Sequence, residues 1–226
     1  MSNLKDDIKV VTTQDGSHSL FSEQFGEFYH SRYGAIRESR HVFIEAGLFY
    51  KFGTGHSLSI LEIGFGSGLN AFITYLETMS REKFIYYEAV EAFPVPVEEA
   101  EKLNFPELLG AMPEKEVFNL MHQLDWDLVH EISPKFSLKK SLKKFEQITD
   151  NEVFDLIYYD AFAPATQPEL WEIPILSLMY NALKPGGIFV TYSAKGSVKR
   201  NLRSLGFVVE DLPGPPGKRE MIRALK

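Results

Sequence analysis

The sequence predicts an α/β domain built on a mostly parallel sheet, with one antiparallel strand near its end. From residue 57 onward, short apolar runs alternate with helix-like segments, and such alternation gives a parallel sheet covered on both faces. The last two strands, Phe207–Leu212 and Arg219–Leu225, are joined by the short loop Pro213–Gly217. A parallel crossover needs a dozen or more residues, so this pair must be antiparallel.

The first part of the chain is predicted to be an N-terminal extension, residues 1–56, packed on a main domain that spans residues 57–226. Residues 1–20 are typical of a strand or hairpin whose turn is Asp15-Gly16. Residues 21–57 are rich in aromatic side chains and are predicted to be helical before the first core strand.

The main domain then alternates in a regular order. Strand-like runs are rich in β-branched and aromatic residues, and the helix-like segments carry apolar residues at helical spacing. Pro185-Gly186-Gly187 marks a sharp turn into a strand. The predicted strands are Ser57–Ile63, Lys83–Val90, Lys135–Lys140, Phe154–Tyr159, Ile188–Tyr192 and the closing pair, and the predicted helices are Ser67–Met79, Val97–Leu109, Pro168–Leu183 and Gly196–Ser204.

Composition excludes several classes of protein and site. The chain has 226 residues, no cysteine and no apolar run long enough for a membrane span, which fits a cytosolic protein without disulfides. Its six histidines show no metal-ligand spacing, so no metal is expected. A net charge of −7 argues against bulk binding of nucleic acid. Residues 195–226 nevertheless hold eight Lys or Arg against three Asp or Glu, which is either a basic binding face or a solvated charged surface.

A glycine turn is the most informative local feature. Residues 60–70 read I-L-E-I-G-F-G-S-G-L-N, so a strand runs into three alternate glycines and then into a helix. Glycine tolerates positive φ and lets a ligand approach the backbone, and the following helix start offers free N–H groups. No Lys follows the last glycine, which disfavours a nucleoside triphosphate. Glu62 would attract a sulfonium or amino group and repel a pyrophosphate.

Two acids are predicted to lie at the carboxyl ends of other strands, where ligands bind in such sheets. Glu91 follows the second strand and is placed to accept bonds from ribose hydroxyls; Glu88 is its competitor but lies within the strand. Asp160 closes the strand Phe154–Tyr159, where it can hold an amine and accept its proton. Phe162 is placed to stack on a base or to cover a methyl donor.

Long motifs give the chain a specific resemblance. Four stretches resemble the bacterial tRNA 5-methylaminomethyl-2-thiouridine methyltransferase family: Y-D-A-F-A-P-A-T-Q-P-E-L-W (159–171), T-Y-S-A-K-G-S-V-K-R (191–200), G-F-V-V-E-D-L-P-G-P-P-G-K-R-E-M (206–221) and F-G-E-F-Y-H-S-R-Y-G-A-I-R-E-S-R-H-V-F (25–43). The resemblance implies the class I, Rossmann-like methyltransferase fold with a seven-stranded sheet, and S-adenosylmethionine as cofactor, without metal or flavin. It implies methylation of the exocyclic amine of 5-aminomethyluridine at the tRNA wobble position.

The resemblance also assigns residues. It places the cofactor at Glu62, Gly64, Phe65, Gly66, Ser67, Gly68 and Glu91, and catalysis at Asp160, which also borders the cofactor, with Phe162 and Pro164 beside it. Substrate contacts to the tRNA anticodon loop are expected from Tyr29 and Tyr33 by stacking, and from Lys195, Arg200, Lys218 and Arg219 on phosphates. Lys143-Lys144 stands where the family tends to carry a Gly-Asp pair that is a plausible adenine contact.

Some family members fuse a flavin-dependent oxidase to this domain. This chain has no second glycine fingerprint before Lys226, so it resembles the monofunctional form, and whether a separate oxidase supplies the amine stays open. Two other functions compete. A methyl- or aminopropyltransferase acting on a small amine would suit the acidic net charge, since polyamines are cations. A non-catalytic cofactor- or RNA-binding module is the second, and a nicotinamide oxidoreductase is disfavoured by the glycine spacing.

Overall fold

The computed structural model describes residues 8–53, 56–79 and 81–226. Residues 1–7, the start of the predicted N-terminal hairpin, lie outside them. The strands are Ile8–Thr12 (β1), His18–Ser22 (β2), Glu27–Phe28 (β3), Ser57–Ile63 (β4), Phe84–Glu91 (β5), Val129–Ser133 (β6), Phe136–Leu142 (β7), Phe154–Tyr159 (β8), Leu183–Thr191 (β9), Val208–Pro213 (β10) and Glu220–Leu225 (β11). The α-helices are Ala35–Ser39 (α1), Leu69–Met79 (α2), Val97–Ala100 (α3), Phe105–Leu108 (α4), Lys115–Gln123 (α5), Ile173–Ala182 (α6) and Gly196–Ser204 (α7). A π-helical segment, Arg40–Phe49, continues α1, and Met112–Glu114, Phe145–Gln147 and Pro168–Trp171 form 3₁₀ turns.

The main sheet has eight strands in the order β10-β11-β9-β8-β4-β5-β7-β6. Strands β9, β8, β4, β5 and β7 are parallel to one another. The predicted antiparallel closing pair is confirmed: β11 runs antiparallel to both β10 and β9. The predicted strand count is short by one, because β6 adds an antiparallel strand at the opposite edge. Its sequence V-H-E-I-S is half exposed and lacks the apolar alternation that marks a core strand.

The N-terminal residues form a separate three-stranded antiparallel sheet, β1-β2-β3. The predicted turn at Asp15-Gly16 is confirmed, since Thr12 pairs with His18 across it. The predicted helix over residues 21–57 is wrong in its first third, where β3 follows a turn and the helix begins only at Ala35. Gly26 and Gly34 have φ of 62° and 142°, conformations that no α-helix contains.

Two predicted helices are broken at prolines. Val97–Leu109 divides into α3 and α4 because Pro106, in the first turn of α4, cannot donate a hydrogen bond to a preceding turn. Pro168–Leu183 divides in the same way into a 3₁₀ turn and α6, which has Pro174 in its first turn. Asn104, just before α4, accepts a hydrogen bond from the His18 backbone N–H at 2.8 Å and so ties this region to the N-terminal sheet.

Hydrophobic side chains fill both faces of the main sheet. One cluster joins the π-helical segment and α2 to the sheet, with the Phe43 ring packed against Tyr158 and with Phe72 in the same cluster. The other joins α6 and α7 to the opposite face, around Trp171 and Phe189. Burying each such ring contributes about 1.5–3 kcal/mol. Residues on both sides of the predicted domain boundary at residue 56 share the first cluster, and that boundary stays a prediction.

Candidate active site

The glycine turn lies where β4, β5 and β8 end together. The Gly64 N–H donates to the Val90 carbonyl at 2.9 Å, and the Asp160 N–H donates to the Ile63 carbonyl at 3.1 Å. Gly64, Gly66 and Gly68 have φ of 89°, 49° and 72°, the left-handed region that favours glycine. A Cβ on Gly66 would stand 3.0 Å from the Tyr29 ring. The turn therefore keeps a bare backbone against the cavity described below.

We expect Gly68→Ala to destabilise the fold more than a left-handed alanine alone would. A Cβ there would stand 2.7 Å from His122 Nε2, and that nitrogen already makes a 3.2 Å hydrogen bond with the Ser67 carbonyl. Gly110 has a similar φ of 66° with nothing within 4 Å, so Gly110→Ala isolates the backbone cost of about 1–2 kcal/mol. Denaturant unfolding should show a loss for Gly68→Ala larger by about 1–3 kcal/mol. Equal losses for the two variants would contradict this packing.

Glu91 is held at the rim of the cavity by backbone amides. Its Oε1 accepts from the Phe93 N–H at 2.8 Å and its Oε2 accepts from the Gly66 N–H at 3.1 Å. Burial raises the pKa of Glu91, and the backbone hydrogen bonds work against that shift. A carboxylate fixed in this way keeps further acceptor capacity for hydroxyl groups in the cavity.

Glu88, the competing acid, lies away from the cavity. It accepts hydrogen bonds from Ser141 at 2.7 Å and from Lys139 at 3.1 Å. Burial alone would raise the pKa of Glu88, but the hydrogen bonds from Ser141 and Lys139 hold it below its ordinary value. Side chains alternate along β5, so residues 88 and 91 point to opposite faces of the sheet.

Asp160 follows β8 directly and has a strongly perturbed carboxyl group. Its Oδ2 accepts from Asn70 Nδ2 at 2.8 Å. Burial raises the pKa of Asp160 to about 7, with the Glu38 charge adding to the rise and the Asn70 hydrogen bond and Lys218 opposing it. At neutral pH this carboxyl group is therefore close to half ionised, which suits a group that binds and exchanges protons.

An ion pair stands behind Asp160. Lys218 Nζ lies 2.6 Å from Glu38 Oε1 and 3.7 Å from the centre of the Tyr192 ring. The other Glu38 oxygen accepts from the Ser31 N–H at 2.8 Å. The pair joins α1 to the loop between β10 and β11.

A cavity of about 270 Å³ connects the turn, Glu91 and Asp160. Eight of the residues predicted for the site line it: Tyr29, Gly64, Phe65, Gly66, Ser67, Glu91, Asp160 and Phe162. Sequence reasoning missed further lining residues, among them Phe25, Phe28, His30, Leu69, Asn70, Phe93, Phe145, Glu146, Gln167 and Tyr192.

Aromatic rings close one side of this cavity. The Phe162 ring centre lies 5.1 Å from that of Phe25 and 5.2 Å from that of Tyr29. The Phe25 ring also meets Phe93 at 5.4 Å. Glu27, next to these residues, accepts a hydrogen bond from Thr166 at 3.0 Å, which ties the N-terminal sheet to the loop after Asp160. The motif at residues 25–43 carries a family resemblance in the sequence, but only the folded chain shows that its first residues form this wall.

His30 is the second contribution of that motif. Its Nε2 lies 3.2 Å from the Ser67 hydroxyl and its Nδ1 lies 3.1 Å from the Ser19 hydroxyl. Burial lowers the pKa of His30 to about 4, so the ring is neutral at pH 7 and bridges the glycine turn to β2. A lone histidine carries no spacing signal, so the sequence does not single it out.

The segment that the resemblance marked for adenine also reaches the cavity. Lys144, Phe145 and Glu146 line it beside Glu91, and the Lys143 N–H donates to the Glu91 carbonyl at 3.1 Å. The sequence lacks the Gly-Asp pair, but the segment that replaces it lies beside the cavity in which the cofactor is predicted to bind.

Glu62 needs a correction as a direct cofactor contact. Only 1% of the residue is exposed and it does not line the cavity, because its side chain points from β4 toward α2, on the face shared with Ile60. Within the described part of the chain its carboxyl oxygens have no hydrogen-bond partner, although Asn70 and Tyr87 lie beside them. Burial, and then the Asp160 charge, raises the pKa of Glu62 well above its ordinary range. We therefore place it beneath the site, where burial favours its protonated form.

Gly68, Pro164 and Tyr33 also lie outside the cavity lining. Gly68 faces His122 behind the turn, and Pro164 is buried within the loop after Asp160. Tyr33 is 47% exposed and packs over Gly217, where a Cβ would overlap the ring. Contact of these three residues with a ligand therefore stays a prediction.

The four predicted phosphate-binding cations divide into two groups. Lys218 is paired with Glu38, and its contact with a phosphate stays a prediction. Lys195 directly precedes α7 and Arg200 lies exposed in the middle of that helix. The Arg219 side chain is 95% exposed. Lys195 Nζ lies 3.5 Å from the Pro164 carbonyl, beside the loop that carries Phe162. The role of Lys195, Arg200 and Arg219 toward RNA stays a prediction.

Neither a metal-ligand cluster nor a membrane-spanning helix is formed by residues 8–53, 56–79 and 81–226. In these ranges, no group of three or more His, Cys, Asp or Glu side chains is arranged to hold a metal ion. None of the helices formed by the same residues is long and apolar enough to cross a membrane.

Comparisons with known proteins agree with this geometry. Residues 129–226 match the model of a family described as S-adenosyl-L-methionine-dependent methyltransferase. The chain is 31% identical over 217 residues to a "tRNA 5-methylaminomethyl-2-thiouridine biosynthesis bifunctional protein MnmC" of Leptospira borgpetersenii, covering 89% of this chain and 32% of that protein. A protein of the same name from Aromatoleum aromaticum is 30% identical over 231 residues, covering 96% and 35%. The chain thus spans about a third of the length of the curated relatives it matches.

Solved structures show the same fold. MnmC2 from Aquifex aeolicus superimposes with a TM-score of 0.76 at 26% identity, over 99% of this chain and 72% of that one. Spermidine synthase from Thermotoga maritima, at a TM-score of 0.62 and 15% identity over 100% and 70% of the chains, shares the fold. The bare glycine turn, the fixed Glu91 carboxylate and the cavity between them fit an adenosyl ligand. This chain belongs to the MnmC family of S-adenosyl-L-methionine-dependent methyltransferases.

Proposed function

We propose that this protein methylates the exocyclic amine of 5-aminomethyluridine, or of its 2-thio form, at the wobble position of tRNA. The product is 5-methylaminomethyluridine or its 2-thio form. The observation that carries the proposal is one cavity that joins the glycine turn and Glu91 to Asp160 and an aromatic wall. The names of the curated relatives and of the Aquifex aeolicus structure support the substrate.

The residues of this cavity have separate roles in binding the cofactor and the uridine base. Gly64, Gly66 and Glu91 would hold S-adenosylmethionine, and Phe65 and Ser67 complete the turn. The cofactor, when bound, supplies a methyl group on a positively charged sulfur. The Phe162 and Tyr29 rings would stack on the uridine base, which must leave the anticodon stack to enter.

Asp160 would act on the amine. An alkylamine is protonated at neutral pH and cannot attack until it loses a proton. The Asp160 carboxylate binds the ammonium group, accepts that proton directly or through water, and orients the nitrogen lone pair. The neutral amine would then attack the methyl group that bound S-adenosylmethionine supplies, with the S–C bond breaking as the N–C bond forms. The methylated ammonium that results would release its proton to solvent, or to Asp160 once that carboxyl group has passed on the first proton.

The partners follow from this substrate. The anticodon loop of tRNA is the proposed macromolecular partner, and the cytoplasm is the proposed location because tRNA modification requires access to tRNA. The aminomethyl group must be produced beforehand by another reaction. The curated relatives are bifunctional, and we propose that a flavin-dependent oxidase, separate from this domain, supplies it.

The direct test compares acceptors with labelled cofactor. Purified protein should transfer labelled methyl to tRNA that carries 5-aminomethyluridine, and not to the same tRNA already methylated at that amine. Putrescine and spermidine form the competing arm. Label in the polyamines and none in tRNA would assign the chain to a small-amine transferase; no transfer to any acceptor, with the cofactor still bound, would favour a non-catalytic module.

We expect tRNA affinity to fall steeply with salt, and Lys195 and Arg200 to carry part of that dependence. Removing two phosphate contacts with Lys195→Gln and Arg200→Gln should lower the slope of log K against log salt by about 1.4–1.8. The matched control is Lys51→Gln with Arg81→Gln, at the edge where the parallel strands begin, which should leave the slope unchanged. Filter binding or fluorescence anisotropy between low and moderate salt measures both. An unchanged slope in the α7 variant would remove these residues from the interface.

A further inference from the structure

A hydrogen-bonded chain of side chains leads from α1 through α2 to Asp160. Asn70 stands in the first turn of α2, directly after the glycine turn, and only 3% of it is exposed. Its Nδ2 donates to Asp160 Oδ2 at 2.8 Å. The Ser39 hydroxyl donates to Asn70 Oδ1. An ionised carboxylate only accepts hydrogen bonds, so the amide nitrogen faces Asp160 and the amide oxygen is left to accept from the Ser39 hydroxyl.

We propose that Asn70 is a positioning residue for methyl transfer, whose amide holds the Asp160 carboxylate toward the cavity and stabilises its ionised form. The kinetic test of this role rests on the proposed function, because it measures methyl transfer. Asn70 lines the cavity but has no titratable proton to exchange. Its amide nitrogen is engaged by Asp160, and the proposed effect on chemistry passes through that hydrogen bond. The resemblance assigned it no role.

The charges around Asp160 explain why one amide matters. Burial and the Glu38 charge push its pKa up to about 7, and the Asn70 amide and Lys218 pull it down. Three further titratable groups interact electrostatically with Asp160: the hydroxyl groups of Tyr87 and Tyr192 and the buried acid Glu62. Burial, and then neighbouring acids, raises the pKa of each of these three groups. Loss of the Asn70 donor would therefore raise the pKa of Asp160 further, and less carboxylate would be present at pH 7.

The kinetic test uses Asn70→Ala and Asn70→Asp. A charge-assisted hydrogen bond lost from the ionised form should move the acid limb of kcat/KM toward higher pH by about one unit in Asn70→Ala. The shift should be larger in Asn70→Asp, which brings a second carboxyl group against Asp160. At pH 7 we expect kcat to fall about tenfold or more with cofactor affinity changed by less than about threefold. The control is Asn201→Ala, which removes a helix amide that donates to the Trp171 carbonyl at 3.1 Å and should leave the pH profile unchanged.

A second measurement separates this proposal from the proposed function. The Asp160 carboxyl carbon can be titrated by ¹³C NMR in protein without substrate, with Asp160→Asn identifying its signal. A higher Asp160 pKa in Asn70→Ala supports the proposal even if no tRNA is methylated. Ser39→Ala, which keeps Asn70 and frees its amide, should shift the same signal in the same direction by less, and it serves if Asn70→Ala fails to fold. An unchanged Asp160 titration in a folded Asn70 variant would overturn the proposal.

Discussion

Asp160→Ala should lose methyl transfer by about 10³-fold in kcat while it keeps cofactor affinity within several-fold. The carboxylate is expected to bind the amine, take its proton and align it, and alanine does none of these. Glu91 and the glycine turn stay in place, because the contact between the strands is made by the backbone N–H of residue 160 to the Ile63 carbonyl. Single-turnover kinetics and calorimetric titration of the cofactor measure the two quantities separately.

The matched control lies on the same strand. Asp155, near the start of β8, accepts from the Ser59 N–H at 2.8 Å and pairs with Lys184 at 2.9 Å. Asp155→Asn keeps an acceptor there and should leave turnover unchanged. Full turnover in Asp160→Ala would remove that residue from the chemistry.

The buried Asp160 carboxyl group should also make the stability of the fold depend on pH. Because the pKa of folded Asp160 is raised to about 7, the folded state holds this proton more tightly than the unfolded chain does. Stability from this group is therefore fully present below about pH 4 and is lost as the pH rises toward 7. Asp160→Asn, which cannot ionise, should be more stable than the wild type by about 1–3 kcal/mol at pH 7 and nearly equal to it at pH 4. Thermal unfolding at both pH values reads this out without any substrate.

Glu91→Gln should weaken cofactor binding by about 10- to 100-fold. The carboxylate is the proposed acceptor for the nucleoside hydroxyls, and an amide lacks the charge that strengthens such bonds. The new NH₂ group would also meet the N–H of Gly66 or Phe93, two donors that the carboxylate now satisfies. Calorimetric titration with S-adenosylmethionine gives the dissociation constant.

Glu88→Gln is the control for this experiment. It makes the same chemical change three residues earlier on β5, but on the opposite face, where Glu88 is bound by Lys139 and Ser141. Cofactor affinity should stay that of the wild type. The reverse outcome, in which Glu88→Gln loses affinity and Glu91→Gln keeps it, would move the ribose site to the other face of the sheet and contradict the present one.

The sequence is most informative at the turns and strand ends of the main sheet. The alternating glycines, the acids that end β5 and β8, and the short loop before β11 each impose a local conformation, and their placement together follows from the rule that parallel strands end at one edge. That rule alone places Asp160 and Glu91 at the same edge of the sheet. The fold class follows from these few positions, whereas the family and the cofactor follow from the resemblance that the long motifs carry.

What the sequence could not show depends on contacts between distant segments. His30 meets Ser67, and Asn70 meets Asp160 across 90 residues of chain, and no local pattern records either pair. Glu62 was predicted to lie in the cofactor site because a motif is a linear pattern, whereas strand alternation turns its side chain under α2. Net charge in a segment likewise does not reveal that Lys218 pairs with Glu38, 180 residues away.

The most direct test is mass spectrometry of an anticodon stem-loop carrying 5-aminomethyluridine after incubation with the protein and S-adenosylmethionine. We expect the mass of one added methyl group, on the exocyclic amine of the wobble nucleoside, in the wild type, and almost none in Asp160→Ala. Bound cofactor together with an unmodified wobble nucleoside, or a methyl group on another atom of the RNA, would contradict the assignment of this cavity.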